Sequence, residues 1–411
     1  MGEDKMIIPS FAPSEITRES FSQLLACYPT TIRESYRQKI IAKAASKLRK
    51  QLKKKADKDK GKGKDALKDA SKDSADAASG ADETQPEQLV PELRVKQETE
   101  RFLELDNWRY ETLPRVLKER RSRVNEKEKE KEKEKEKEKE KGDKSESAQG
   151  SLGFYMEKEE MARLMEWKLK HGVYRPALEG MIKTNKAALV RKTTASAFAA
   201  VPNVDPSASE GSLDEAFPKD SMDILTEPLR AVGPATASLI LSVATEGNAN
   251  EIPFYSDEVY LWLCLGVYPS SGKMGKKAAK HIKPNGELNV KYNLREYRQL
   301  FDAVAKLRAR LNNAVKQPSD GEGEDSRIFT TADVERVAYV LKHLGGSGFP
   351  GAAEILEQDA AAAKEEESES EEEILGVTPK KKSKEKSNKK RKRNEKEEGE
   401  EEEEKSKKRK R

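Results

Sequence analysis

Apolar residues recur at helical spacing in blocks that are separated by long charged runs. Ser14 to Tyr28 predicts a short amphipathic helix through Ile16, Phe21, Leu24 and Leu25. Beyond Pro29 a stripe of Ile32, Tyr36, Ile40, Ile41, Ala44, Ala45, Leu48 and Leu52 predicts a second helix from Thr31 to Lys55, with lysine and arginine crowding its other positions. Such a basic amphipathic helix suits nucleic acid, an anionic membrane surface, or simple packing of its stripe on a core. Ala56 to Pro86 has no periodicity and reads as a solvated linker. Apolar positions return at Pro91 and predict helices over roughly Pro91 to Leu105 and Trp108 to Arg123. Eight Glu-Lys dipeptides follow, from Glu126 to Lys141. Strict alternation sets unlike charges at i,i+3 against like charges at i,i+4, so a helix there is marginal and a charged surface insertion over 126–150 is expected.

The pattern resumes at Tyr155, where Met156, Met161, Leu164, Met165, Trp167 and Leu169 share one broad face of a helix that Gly172 closes. Further helices are expected over Ala177 to Thr184 and Lys186 to Ala200, and a loop over Val201 to Lys219. Val259 to Gly266, Asn293 to Val315 and Ala332 to Leu344 read as the last helices, and the chain beyond Pro350 reads as a tail. The loop from Ser271 to Asn289 is rich in lysine and glycine, which fits contact with a phosphate backbone or plain solvation.

The organising stretch is Ser221 to Tyr260. Met222 to Leu229 is helix-like, Ala231-Val232-Gly233 is a turn, and Ala235 to Val243 is a second helix, which together form a helix-hairpin-helix. Pro234 suits a first helical position, Gly233 leaves room for close backbone approach, and the amides opening the second helix favour an anion. A nucleic-acid phosphate is the natural ligand, contacted through Ala231, Val232, Gly233, Ala235 and Thr236. The same residues also fit an ordinary hairpin buried in a core.

Composition narrows this picture. Of 411 residues, 38% are charged and 6% aromatic, and the charge is concentrated in runs, so much of the chain lacks the apolar surface to fold. About 230 residues remain for one sizeable core. The net charge of +5 is a small difference between 80 basic and 75 acidic residues and says little about partners. Two distant cysteines, Cys27 and Cys264, exclude a disulfide framework and a four-cysteine metal or iron–sulfur site. His171, His281 and His343 have no metal-ligand spacing. No membrane span, secretory signal, dinucleotide fingerprint or phosphate-binding loop is present in the pattern, so neither a membrane partner nor a small-molecule cofactor is expected. Lys380 to Arg393 and Lys405 to Arg411 are basic clusters of the kind read as nuclear localisation signals or nucleic-acid patches, and Glu365 to Glu373 is acidic around Ser368 and Ser370.

The segment LRAVGPATASLIL, followed by PFYSDEVY, resembles the hairpin and active-site segment of the helix-hairpin-helix DNA glycosylases, the superfamily with the endonuclease III-like fold. Leu229, Val232, Gly233, Thr236 and Ala237 fall on the family pattern, and Asp257 falls near its catalytic aspartate. The resemblance implies an all-α, helix-hairpin-helix core, DNA as the partner, and Asp257 as the catalytic carboxylate with Glu258 beside it. It departs at Arg230 and Ala231, which stand where the family has proline and its first hairpin glycine, and at Ala235, which stands where bifunctional members have their lysine. A monofunctional DNA N-glycosylase without lyase chemistry at position 235 is therefore implied. The alternative is the same fold, catalytically silent, serving as a DNA or chromatin adaptor. Trp167, Tyr255 and Trp262 are candidates both for base stacking and for the core. Ser256-Asp257-Glu258 equally suits a helix start, with serine as cap and acids in the first turn.

The expected organisation is thus basic N-terminal helices over 1–55, a disordered linker over 56–90, the helical domain over 91–346 and a disordered acidic and basic tail over 347–411, in a nuclear protein whose tail is a possible contact for chromatin proteins.

Overall fold

Thr17 accepts a hydrogen bond from the Ser20 amide, and this cap starts the first helix at Arg18. In the computed structural model the described residues are 9–62, 91–139, 153–207, 211–269, 281–283, 288–313 and 327–361. Among them the regular structure is helical, apart from one isolated bridge between Ile282 and Leu288, so the all-α expectation holds.

The helices are α1 (Arg18–Ala26), α2 (Tyr28–Lys62), α3 (Glu92–Asn107), α4 (Leu113–Lys139), α5 (Lys158–His171), α6 (Pro176–Lys183), α7 (Ala187–Ala199), α8 (Ser212–Ala216), α9 (Lys219–Thr226), α10 (Pro234–Ala244), α11 (Asp257–Val259), α12 (Leu294–Asn313) and α13 (Thr331–Lys342). A wide turn, Trp108–Thr112, joins α3 to α4, and a second one, Tyr260–Cys264, prolongs α11. A last helix covers 352–361.

Three boundaries differ from those read in the sequence. The Glu-Lys run is helical as far as Lys139. It continues a helix already anchored by the buried Leu113 and Leu117, so no nucleation is needed and the cancelling charge terms suffice for propagation. Secondly, the N-terminal helices are part of the main core, because Phe11, Phe21, Leu24 and Ile32 are buried in the same cluster as Trp167 and Leu239. The stripe of α2 packs inward, with Tyr36 stacked on Phe102 of α3 at 4.0 Å between ring centres. Thirdly, Phe349 and Ile355 are buried beyond Gly346, so the packed part of the chain continues past the boundary expected at 346. The loop expected over 201–219 contains α8. The linker expected from 56 is helical as far as Lys62, where α2 ends, and the tail expected from 347 is described as far as 361; the rest of both stretches, the two basic clusters, Ser368 and Ser370, and most of the loop over 271–289 lie outside the described residues.

The centre of the unit is polar as well as apolar. Asp106 is buried and accepts hydrogen bonds from Trp167 Nε1 at 2.8 Å and the Tyr28 hydroxyl at 3.1 Å. Arg109 pairs with Glu335 at 2.8 Å, and the Tyr110 hydroxyl donates to the same carboxylate at 2.9 Å. Both ends of the pair are dry, so removing either partner would cost about 3–5 kcal/mol. These links fasten α3, the wide turn after it and α5 to α13.

Candidate functional site

The hairpin of α9 and α10 is held by a residue outside it. Asn185 is buried, donates to the carbonyl oxygens of Ile182 and Arg230, and accepts from the Arg230 amide at 2.9 Å. Pro234 occupies the first helical position of α10, and the Gly233 carbonyl accepts from the amides of Thr236 and Ala237, each at 2.9 Å. Ala231 has φ 63°, the left-handed region that costs a side chain about 1–2 kcal/mol. This chain forms the turn with alanine all the same. Gly233 itself is extended, exposed, and has no heavy atom within 4 Å of where a Cβ would stand. Nothing inside the protein requires glycine at 233. Arg230, on the turn, and Lys186, next to Asn185, are both exposed.

The segment after α10 is tied back onto it. The Ile252 amide donates to Thr245 Oγ1 at 2.9 Å, the Tyr255 amide to Ser238 Oγ at 3.0 Å, and the Tyr297 hydroxyl to the Pro253 carbonyl at 3.0 Å. Ser256 then caps α11 by accepting from the Val259 amide at 3.1 Å. The cap is therefore the serine, and the Asp257 side chain is left for other work. Its Oδ1 accepts a 2.9 Å hydrogen bond from the Tyr292 hydroxyl.

A cleft of about 370 Å³ lies between these parts. Ala231, Val232, Gly233, Pro234, Ala235 and Thr236 line it together with Asp257 and Glu258. Phe254, Leu178 and Val173 give it apolar walls, and Lys168, Arg175 and Tyr292 bring polar groups. A volume of this order, mostly apolar with a few convergent polar groups, suits a small organic ligand or one nucleotide. Tyr292 has φ 52°, so the two non-glycine residues with left-handed backbone among the described residues, Ala231 and Tyr292, both stand on this cleft. Local strain of that kind collects where a site holds geometry the backbone would otherwise avoid.

The two adjacent carboxylates are driven apart. Burial alone would raise the Glu258 carboxyl, but Lys342, which donates to it at 2.7 Å, and His171 together hold it well below the usual carboxylate range. Asp257 shifts the other way: burial and the neighbouring Glu258 charge raise its pKa, against the Tyr292 hydrogen bond, Lys342 and Lys168. The two neighbouring carboxylates are thus shifted in opposite directions, a division typical of acid–base sites.

Lys168 is the residue that sequence reasoning missed. It lies in the last turn of α5, keeps some exposed area because it opens onto the cleft, and donates to Thr236 Oγ1 at 2.8 Å. Burial of its amine, with Arg175 nearby and only Asp257 in opposition, lowers its pKa to about 7. No motif announces it, since in sequence it is one of several lysines of an amphipathic helix. His171, one turn on, is buried against Trp167 and is driven down to about 3 by burial.

The aromatic candidates divide. Trp167 and Trp262 are fully buried and hydrogen-bonded inside the protein, to Asp106 and to the Phe11 carbonyl, so neither offers a stacking face. Tyr255 lines the cleft, although its side chain is almost wholly buried and its hydroxyl donates to Glu296. No group of three or more potential metal ligands occurs among the described residues, and none of their helices is long and apolar enough to cross a membrane. Comparison with protein-family models, with curated proteins and with solved structures gave no match, so the reading of the site rests on its own geometry.

Proposed function

We propose that this chain is a DNA-binding, helix-hairpin-helix protein that excises bases as a DNA N-glycosylase. The observation that carries the reading is that the hairpin turn, residues 231–236, and the Asp257 carboxylate line one cleft. The turn and the start of α10 would hold a backbone phosphate through main-chain amides, with Arg230 and Lys186 adding charge outside it. A nucleotide turned out of the duplex would enter between Phe254, Leu178 and Val232. Asp257 would then face the sugar. Its carboxylate stabilises the oxocarbenium-like sugar as the N-glycosidic bond breaks and the base leaves with the electron pair. It then takes a proton from the water that attacks C1′. Glu258, kept ionised by Lys342, maintains the negative field behind it.

The test is base release from a panel of duplexes, each carrying one damaged base, by the wild type and by Asp257→Asn, with duplex binding measured in parallel. Release by the wild type that Asp257→Asn loses while still binding is the expected result. Binding by the wild type with no base released from any duplex would leave the second reading, a DNA or chromatin adaptor of the same fold. In either case the nucleus is the proposed compartment, on the strength of the two basic clusters in the tail.

A further inference from the structure

Among the described residues, the enclosed cations around this cleft are answered by a carboxylate or by backbone carbonyl oxygens. Arg109 has Glu335, Lys342 has Glu258, and the amine of Lys39 is enclosed by the carbonyl oxygens of Lys170, His171 and Gly172 at the end of α5. Lys168 is the exception. Its amine is packed into the cleft wall, where it donates to the Thr236 hydroxyl at 2.8 Å and lies 6.0 Å from the centre of the Phe254 ring, and among the described residues it has no ion-pair partner. A structural lysine in such a place would be expected to carry a carboxylate, because a buried charge without one is costly. What this arrangement favours is the neutral amine, which is a nucleophile towards carbonyl carbon. The cleft also holds the Asp257 carboxyl within the same lining.

We infer that Lys168 is a covalent catalytic residue, whose amine condenses with the C1′ aldehyde of a ring-opened deoxyribose in the cleft to give an imine. The inference rests on the reading of the cleft as a base-excision site, where departure of the base and opening of the sugar generate that aldehyde. In the step the Nζ lone pair adds to C1′ and the carbonyl π electrons pass to oxygen. Two protons then move from the nitrogen to that oxygen, with Asp257 as the relay, and the C–O bond breaks to release water. Amine and aldehyde thus become imine and water, without an oxidant or reductant. Position 235 carries no amine, so the chemistry assigned here comes from a different helix, α5, and reaches the cleft beside Thr236. With its pKa lowered to about 7, a substantial share of the amine is neutral near physiological pH.

The experiment uses the full-length chain, a duplex with a single abasic site, and sodium cyanoborohydride, which reduces an imine to a stable amine. Denaturing electrophoresis reads the covalent adduct, and peptide mapping by mass spectrometry reads the attached lysine. The expected result is an adduct on Lys168 in the wild type and loss of that adduct in Lys168→Met. Mapping on the wild type keeps the test decisive even if the variant folds poorly. Adduct on other lysines with Lys168 unmodified, or no adduct while the duplex is bound, overturns the inference. Base release measured alongside separates the two claims. Release without a Lys168 adduct removes the lysine and leaves the glycosylase. A Lys168 adduct without release from any damaged duplex keeps the lysine and leaves an enzyme of abasic sites.

Discussion

Tyr292 donates its hydroxyl to Asp257 Oδ1 at 2.9 Å from a backbone held at φ 52°, so a strained residue positions the carboxylate on which the proposed chemistry turns. The hydrogen bond favours the ionised form of Asp257, whereas burial and Glu258 favour the protonated one. In Tyr292→Phe the balance tips further towards the proton. The acid limb of the pH profile for base release moves to higher pH, and the rate at neutral pH falls. Loss of one such bond costs only about 1 kcal/mol of stability, which thermal unfolding of the variant checks. An unchanged acid limb would mean that Asp257 does not titrate in the reaction.

The hairpin turn gives a paired prediction. Ala231→Gly removes left-handed strain worth about 1–2 kcal/mol and adds unfolded-state freedom worth about 0.4–1 kcal/mol, so denaturant unfolding should show a net gain of about 1 kcal/mol or less. Gly233→Ala enters extended backbone and open space and should leave stability within about 0.5 kcal/mol of the wild type. Its new methyl group instead occupies the place of an approaching phosphate. Duplex affinity should fall, and equal affinity across a salt titration would remove position 233 from the interface.

Lys342→Met strands Glu258 in a buried position. The folded-state pKa of Glu258 lies below its unfolded value, so the pairing stabilises the fold above the unfolded value and is lost as pH falls through the folded one. Because Lys342 itself is partly solvent-exposed, the loss at pH 7 should be about 2–3 kcal/mol rather than the full cost of a dry pair. The difference between variant and wild type should shrink on acidification, since an orphaned Glu258 escapes by taking up a proton. Unfolding midpoints measured from pH 4 to pH 8 check this.

Lys168→Met should stabilise the protein. The amine has a folded pKa of about 7, below that of an unfolded lysine, so the folded state disfavours the protonated form. The penalty is complete below pH 7 and fades as pH rises towards about 10.4. Groups facing the amine are Asp257, Arg175, the Thr236 hydroxyl and the Phe254 ring, and Asp257 alone opposes the shift by a full charge. The variant should therefore gain most in midpoint at pH 6 and little at pH 10. A gain independent of pH would assign the effect to packing alone.

The helices with strong apolar stripes were legible in the sequence, because a run such as Met161, Leu164, Met165 and Leu169 admits one buried face. The hairpin was legible through turn chemistry, Pro234 and Gly233 above all, and the start of α11 through the serine that caps it. Three things were hidden for physical reasons. The Glu-Lys run has no preference of its own, and its helix depends on the packed helix before it. Asn185 and Tyr292 act across the fold on Arg230 and Asp257, so no spacing within one segment reveals them. Lys168 has an ordinary place in an amphipathic helix and becomes unusual only when α10 and α11 close around it.

Phe11 packs edge-on against Phe349 at 5.7 Å between ring centres, and the Phe11 carbonyl accepts the indole N–H of Trp262. Arg310, on α12, reaches back in the same way to the carbonyl oxygens of Pro13 and Ile16. On the ribosome the first segment of the domain must therefore wait, with its aromatic side chains uncovered, until nearly the last has been made. Contacts of such sequence separation slow folding and lengthen exposure to aggregation. The cleft, lined only by residues between Lys168 and Tyr292, is thus made before the contact that closes the two ends of the fold on each other.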